Sequence, residues 1–172
     1  MIQVDRKHFY DTVRYSLFNG AISQNQVYGM ETILREGEAQ QLTDLRWLAY
    51  ILATTYHETA KTMQPIEEYG KGKGYKYGVP DPITGQTYYG RGFVQLTWKR
   101  NYKTMGDLLG KPLVDAPELA LKTEIATQIL FKGMKRGLFT GKSLEDYFDH
   151  DTDDWVNARK IINGLDKASL IS

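Results

Sequence analysis

The chain has 172 residues, 41% apolar and 25% charged, which is typical of a folded protein with one core. A formal net charge of +1 does not suggest a nucleic-acid-binding protein, and the lack of cysteine excludes disulfide scaffolds, thiol nucleophiles and thiolate metal sites. The most apolar run, residues 47–53, is far shorter than the roughly 20 residues that cross a bilayer. No signal-peptide core is visible near the N-terminus, so we expect no stable membrane insertion.

Three helices are predicted in the first third of the chain. Asp5 is a candidate N-cap for the first helix. Ser23 and Gln26 form a capping-box pattern for the second, which we expect to end at Gly37. The third runs from about Asp44 to Glu58 and is apolar on nearly all sides, which indicates a central buried helix.

The segment from residue 69 to residue 92 cannot be helical, because it holds seven of the 16 glycines and two prolines. We predict loops and one small β-hairpin here, with its turn at or near residues 81–86. Its strands are expected around Tyr88 and over residues 93–96. The pattern as a whole therefore predicts a mainly α fold, a helical bundle around a central helix with a small β element.

Helices resume after this segment. Thr97 is a candidate N-cap for the next helix, and Asp115 with Glu118 forms a second capping-box pattern ahead of helices that reach Arg136. Ser143 is expected to cap a short helical turn. A last helix is predicted over residues 154–163, ending at Gly164, where glycine favours termination.

Glu58 lies in the last turn of the third helix, where burial and the negative helix end both disfavour a charged carboxylate. A carboxyl group that stays protonated near neutral pH can act as a general acid. A capping or salt-bridged glutamate without chemistry is the alternative. His57 and Glu58 begin an HExxH zinc motif, but Lys61 stands where the second histidine is needed. We therefore predict no metal and no other cofactor.

Two further glutamates, Glu67 and Glu68, follow within ten residues. Neighbouring side chains of an extended segment point to opposite faces, so we expect only one of them to face a cleft. An acid paired with a second carboxylate that activates water is what inverting glycoside hydrolysis requires, with the carboxyl groups roughly 6.5–9.5 Å apart. Solvated loop charges balanced by Lys71 and Lys73 are the alternative.

Aromatic and basic residues are concentrated after these glutamates. Seven aromatic residues lie between residues 69 and 98, interleaved with glycine, and flat aromatic faces suit the C–H faces of sugar rings. From residue 69 to residue 103 there are seven Lys or Arg residues and one acid, Asp81. A basic groove attracts an anionic polymer. Bacterial cell-wall glycan and nucleic acid both qualify, but nucleic acid rests on this local charge alone and is not expected.

Three motifs occur in order: HETA at residues 57–60, YYGRGFVQLTW at residues 88–98 and ARKIING at residues 158–164. Together they resemble glycoside hydrolase family 19, the plant chitinases and their bacteriophage endolysin relatives. The start of the chain is similar to phage and prophage members. The resemblance implies a lysozyme-like α+β fold that is mainly helical. It also implies single-displacement hydrolysis of β-1,4 links at N-acetylated sugars, with inversion.

The resemblance also implies roles for single residues. Glu58 matches the general acid, and a glutamate of the following loop matches the base. A nine-residue spacing favours Glu67, whereas a PIxEYG-like pattern slightly favours Glu68. Thr97 matches the residue that holds the attacking water. The other matched positions are Gln95, Asn101 and Asn163, expected to bind substrate, and Arg91 and Arg159, expected to pair with cleft carboxylates. Purely structural hydrogen bonding is the alternative for the polar members. Apart from the resemblance, the aromatic concentration makes Tyr89 and Trp98 candidates for substrate binding, while Phe93 and one of Tyr88 or Tyr89 are expected in the core.

We therefore expect an endolysin with muramidase activity, which cleaves the β-1,4 bond between N-acetylmuramic acid and N-acetylglucosamine in peptidoglycan. The plant enzymes of the family carry longer loops between acid and base, which this chain lacks. This difference and the basic loop favour peptidoglycan over neutral chitin. A chitinase and a catalytically silent glycan-binding protein are the alternatives. We further expect a monomer whose residues 1–172 form one catalytic domain without a separate cell-wall-binding domain. Synthesis in the cytoplasm without a signal peptide and release through a holin-type pore complete the hypothesis.

Overall fold

The computed structural model of the chain describes residues 3–164 and 168–171. Its α-helices and strands follow in chain order as α1 (Arg6–Ser16), α2 (Gln24–Ala39), α3 (Leu45–Glu58), β1 (Ile66–Glu67), β2 (Arg91–Gly92), α4 (Lys99–Leu109), α5 (Thr123–Arg136) and α6 (Ala168–Ile171). Short 3-10 helices cover Lys76–Gly78, Pro117–Leu121, Leu144–Asp146 and Asn157–Ile161. The predicted mainly helical fold with a small β element is confirmed.

The first three helices begin where their capping residues predict. The carboxylate of Asp5 accepts a hydrogen bond from the backbone N–H of His8 at 3.0 Å. Ser23 and Gln26 form the complete reciprocal capping box at the start of α2. Asp44 caps α3 through the backbone N–H of Arg46 at 2.9 Å. Each cap satisfies an N–H group that the first helical turn leaves without an intrahelical partner.

Helix α3 is central, since it packs against α2, α5 and α6. One face of α3 enters the core, and its buried residues are Leu48, Tyr50, Ile51, Thr54 and Thr55. The other face helps to line an open, apolar cavity of about 670 Å³ beneath α1. α5 is the more deeply buried helix, because eight of its 14 residues are buried. Within the part of the chain that the structure describes, no helix is long and apolar enough to cross a bilayer.

The β element pairs different segments from those the sequence predicts. The turn at residues 81–86 exists, closed by the backbone N–H of Asp81 donating to the carbonyl of Gln86 at 2.8 Å, but it joins no paired strands. Instead β1 pairs antiparallel with β2, with Ile66 opposite Gly92 and Glu67 opposite Arg91. The predicted pairing within residues 88–96 is confirmed only as a single antiparallel bridge between Arg91 and Leu96. The two-stranded pairing instead uses the distant segment β1, which the local pattern does not predict.

The start of α4 also differs from the prediction. The helix begins at Lys99, directly after Trp98, and Thr97 does not cap it. The hydroxyl of Thr97 instead donates to the carbonyl of Gln95 at 2.7 Å. Gln95 and Trp98 adopt left-handed backbone conformations, with φ of 52° and 75°, so the chain kinks twice before the helix starts. Thr97 is thereby held in the turn and not at the helix end.

The remaining elements are shorter than predicted. The pattern of Asp115 and Glu118 forms no cap, because a 3-10 helix begins at Pro117 without a side-chain hydrogen bond at its start. Ser143 does cap the turn Leu144–Asp146, as expected. The predicted last helix is only a 3-10 segment, Asn157–Ile161.

Glycines in α2 set its distance from the rest of the molecule. A Cβ atom on Gly29 would lie 1.8 Å from the carbonyl oxygen of Met63, in the turn that leads from α3 to β1. Gly37 is buried against a methyl group of Leu48, where a Cβ atom would come within 3.1 Å. α2 therefore passes through Gly37 and ends at Ala39, contrary to the prediction, because this glycine serves close packing and not termination.

Gly29→Ala should force α2 away from the turn that precedes β1. Overpacking of this kind costs about 1–3 kcal/mol, and we expect a loss of at least this size in the free energy of unfolding measured by urea denaturation. Gly37→Ala is the matched control, because it meets only a movable side chain and gains helix propensity of about 1 kcal/mol. Equal losses in the two variants would contradict this account of the contact.

Candidate active site

The candidate site is built on three chain segments. The segment that begins with β1 contacts the turn that follows β2, and the end of α3 carries Glu58. The pairing continues past β1, since the backbone N–H of Glu68 donates to the carbonyl of Gly90 at 2.7 Å. The side-chain amide of Gln95 donates to the carbonyl of Ile66 at 3.1 Å. These bonds place Glu67 and Glu68 beside the turn that carries Gln95.

Glu58 at the end of α3 has a buried cationic partner. Its Oε1 lies 2.7 Å from Nη2 of Arg159, and the two side chains are 17% and 3% exposed. Arg159 comes from the 3-10 helix Asn157–Ile161. A cation is favourable near the negative C-terminal end of a helix. The position of Arg159 therefore stabilises the contact between the end of α3 and this 3-10 helix. The sequence predicts a buried Glu58 carboxyl group in apolar surroundings, whereas the structure shows it in an ion pair with Arg159.

Glu67 is held by one phenol and one cation. The hydroxyl of Tyr89 donates to Oε1 at 2.6 Å, and Nζ of Lys71 lies 3.0 Å from Oε2. The hydrogen bond from Tyr89, followed by that from Lys71, lowers the pKa of Glu67 below its ordinary value. Glu67 is therefore stabilised as a carboxylate with both oxygens engaged.

Glu68 is held by neutral donors. The hydroxyl of Tyr77 donates to Oε1 at 2.9 Å, and the backbone N–H of Gly90 donates to Oε2 at 3.0 Å. An ionised carboxylate offers about four acceptor sites, so each oxygen keeps capacity for another donor. The two adjacent glutamates thus have separate sets of partners, in keeping with the alternation of an extended segment.

The turn after β2 is held by its own polar side chains. Thr97 donates to the carbonyl of Gln95, and the side-chain amide of Asn101 donates to the carbonyl of Thr97 at 2.8 Å. Gln95 and Trp98 in this turn have positive φ angles. Such backbone strain at residues other than glycine is concentrated at functional sites of proteins. The hydroxyl oxygen of Thr97 remains an acceptor and can orient a water molecule.

Arg91 is placed differently from the prediction, and Tyr89 is buried, which is the alternative left open for one of Tyr88 and Tyr89. The guanidinium of Arg91 is buried 3.6 Å from the centre of the Tyr89 ring, and its Nη1 donates to the hydroxyl of Tyr102 at 3.0 Å. Within residues 3–164 and 168–171 it forms no ion pair with a cleft carboxylate. Tyr89 is only 7% exposed, so its ring is not available for stacking on a sugar. Its hydroxyl acts on Glu67 instead.

Trp98 presents an exposed face and stands within a larger aromatic group. Trp98 is 45% exposed, and the ring of Tyr77 meets it edge-on at 5.1 Å between ring centres. Tyr75 is 60% exposed and stacks on Tyr77, also at 5.1 Å, with the ring planes 5° apart. We call Tyr75, Tyr77 and Trp98 the aromatic platform. The sequence shows this concentration of aromatic residues but does not single out Tyr75 and Tyr77, because only tertiary packing separates exposed rings from buried ones.

Asn163 follows the 3-10 helix that carries Arg159, and its backbone N–H donates to the carbonyl of Arg159 at 3.1 Å. Its side-chain oxygen accepts a hydrogen bond from the backbone N–H of Gly164 at 2.8 Å, and its side chain is exposed. Among the described residues, no group of three or more His, Cys, Asp or Glu side chains is arranged to hold a metal ion.

The model of glycoside hydrolase family 19, described as chitinase class I, matches residues 37–134. The chain belongs to glycoside hydrolase family 19. The matched range contains Glu58, both glutamates of the β1 segment and the motif around β2, whereas Arg159 and Asn163 lie outside it.

Family 19 relatives share only part of their length with this chain. An endochitinase of Arabidopsis thaliana is 37% identical over 79 residues, which is 45% of this chain and 28% of the relative. Chitinase 8 of Oryza sativa subsp. japonica is 29% identical over 105 residues, 61% of this chain and 38% of the relative. A solved structure of a chitinase C variant shows 25% identity and a TM-score of 0.50, covering 72% of this chain and 53% of that one. This similarity confirms the predicted lysozyme-like fold.

Tyr89→Phe removes the hydrogen bond that contributes most to the lowered pKa of Glu67. We expect this pKa to rise toward its ordinary value of 4.5, as measured by NMR titration of the side-chain carboxyl carbon. Lys71→Gln, which removes the second contribution, should produce a smaller rise. A lowered folded-state pKa stabilises the fold above the unfolded-state pKa, and this contribution is lost as the pH falls through the lowered value. The difference in thermal midpoint between the wild type and Tyr89→Phe should therefore shrink below about pH 4.5. An unchanged Glu67 pKa in Tyr89→Phe would contradict the assignment.

Proposed function

We propose that this family 19 chain hydrolyses β-1,4 bonds between N-acetylated sugars with inversion of configuration. The observation that carries the proposal is Glu58, a shielded carboxyl group fixed at a helix end, in a fold that also presents a second carboxylate on the β1 segment. Arg159 engages Oε1 of Glu58, which leaves Oε2 to carry the proton that passes to the leaving glycosidic oxygen. A water molecule then attacks the anomeric carbon from the opposite face.

Glu68 is the base in this proposal. It accepts hydrogen bonds from two neutral donors, whereas Glu67 is paired with the cation Lys71 and has a lowered pKa. Both oxygens of Glu67 are already engaged, one of them by a cation, whereas each oxygen of Glu68 keeps capacity for another donor, so Glu68 is better placed to accept a hydrogen bond from the attacking water. The hydroxyl of Thr97 holds that water in the proposed mechanism.

The proposed polymer is peptidoglycan, and the proposed protein type is an endolysin with muramidase activity. Lys73, Lys76 and Arg100 are exposed near the aromatic platform, and no ion pair engages them within the part of the chain that the structure describes. Peptidoglycan carries carboxylates on its peptides, and on lactyl groups that bear no peptide, whereas chitin is uncharged. Unpaired cations beside a sugar-binding surface therefore favour the charged polymer. Cytoplasmic synthesis and release through a membrane pore belong to the same proposal.

A chitinase is the second candidate. It is supported by the relatives, which are named as endochitinases and chitinases. The proposed acid and base act on the glycosidic bond and do not depend on the charge of the polymer. A chitin-type substrate therefore fits the same chemistry.

The deciding experiment is mass spectrometry of the products after incubation with purified Gram-negative peptidoglycan and, separately, with chitin oligomers. The proposal predicts muropeptides with new reducing ends at N-acetylmuramic acid. NMR of the first-formed anomer tests inversion. Chitin products alone would make the protein a chitinase, and retained glycan binding without any product would make it a silent binding protein.

Substitution of the carboxylates tests the mechanism. Glu58→Gln should lower kcat by about 10²–10⁴-fold, because a positioned general acid contributes that much. Glu68→Gln should cause a comparable loss, and Glu67→Gln a mild one, with circular dichroism used to confirm folding in each variant. Near-normal activity of Glu58→Gln would remove the proposed acid. A severe loss in Glu67→Gln with a mild loss in Glu68→Gln would exchange the two roles.

The double variant Lys73→Gln/Lys76→Gln tests the choice of polymer. We expect its kcat/KM on peptidoglycan to fall by about tenfold at low ionic strength, with the difference shrinking as salt screens the charges. Its activity on chitin oligomers should be unchanged. Lys103→Gln is the control, since Lys103 is already paired with Asp107 at 2.7 Å. Equal losses on both polymers would count against recognition of anionic groups by this loop.

A further inference from the structure

The loop that carries Tyr75 and Tyr77 is closed by contact between two glycines. A Cβ atom on Gly78 would lie 2.0 Å from the carbonyl oxygen of Gly72, so the two backbones touch. Gly72 also has a φ of 73°, which favours glycine. The loop therefore has a defined shape, and it presents its two tyrosines in a fixed position.

Backbone hydrogen bonds join this loop to the turn that carries Trp98. The N–H of Tyr88 donates to the carbonyl of Tyr77 at 2.9 Å, and the N–H of Trp98 donates to the carbonyl of Tyr88 at 2.8 Å. The rings of the aromatic platform are thus fixed through the main chain as well as through ring contacts. The planes of Tyr77 and Trp98 are 82° apart, so together with Tyr75 they form a corner with exposed aromatic faces.

Tyr77 is the member of the platform that reaches a proposed reacting group. Its ring contacts both Tyr75 and Trp98, and its hydroxyl donates to Oε1 of Glu68 at 2.9 Å. Burial, followed by the hydrogen bond to Glu68, raises the pKa of Tyr77 to about 12. Tyr77 therefore remains a neutral donor at every pH at which a carboxylate base works.

We propose that the aromatic platform binds a pyranose ring of the glycan, and that Tyr77 couples this binding to the orientation of Glu68. The inference rests on the proposed hydrolase function and on Glu68 as its base. Tyr77 is a positioning residue in this scheme, because its hydroxyl fixes one carboxylate oxygen while Gly90 fixes the other. A sugar seated on the platform restrains the Tyr77 ring and thereby the carboxylate.

Ring stacking and carboxylate positioning are separable by substitution. Tyr77→Phe keeps the ring contacts and removes only the hydroxyl. We expect kcat to fall by about 10- to 100-fold with KM unchanged, as misplacement of a reacting group predicts. Tyr75→Ala removes the outer stacking surface, so KM should rise roughly three- to tenfold with kcat unchanged. Tyr69→Phe is the matched control in the same loop, since Tyr69 is fully exposed, and it should change neither constant.

A second measurement does not depend on turnover. In the Glu58→Gln background, binding of a glycan oligomer followed by calorimetry should weaken on Tyr75→Ala. Binding should also shift the NMR signal of the Glu68 carboxyl carbon, and Tyr77→Phe should abolish that shift. These results would support the coupling even if the wild type hydrolysed no glycan. Wild-type hydrolysis combined with normal kcat in Tyr77→Phe and no Glu68 shift would overturn the coupling and leave the proposed function standing. Unchanged glycan binding in Tyr75→Ala would overturn the platform.

Discussion

The antiparallel pairing of β1 with β2 is the constraint on which the rest of the candidate site depends. It brings the segment that carries two glutamates against the segment around Arg91, which lies 24 residues beyond Glu67 in the chain. The bond from Glu68 to the carbonyl of Gly90 continues this pairing, and the return bond from Gly90 holds the Glu68 carboxylate. Without this short ladder neither glutamate would have a defined position.

The two adjacent glutamates of this segment, Glu67 and Glu68, have carboxylates in different surroundings. Alternation along an extended chain sends Glu67 toward Tyr89 and Lys71, and Glu68 toward Tyr77. The carboxylate of Glu67 is paired with a cation, whereas within the described residues the carboxylate of Glu68 accepts hydrogen bonds from neutral donors. This difference, and not the identity of the residues, supports the proposed division into a structural and a catalytic glutamate.

Close backbone contacts elsewhere serve the same geometry. Gly29 lets α2 touch the turn before β1, and the contact of Gly72 with Gly78 closes the loop of the aromatic platform. The left-handed residues Gln95 and Trp98 hold the turn after β2 in place. These main-chain contacts fix the backbone of the candidate site. The side chains of Glu68, Thr97 and Trp98 are then oriented by hydrogen bonds and ring contacts.

The sequence by itself determined the helical class, the starts of the first three helices and the residues from which the candidate site is built. Capping residues and the apolar run of α3 act within a few residues, so local pattern is sufficient to predict them. The tertiary structure decided the partner of β1, the ion pair between Glu58 and Arg159, and which aromatic rings are exposed. Each of these depends on contacts between segments far apart in the chain. Such contacts arise from packing, which periodicity and composition do not encode.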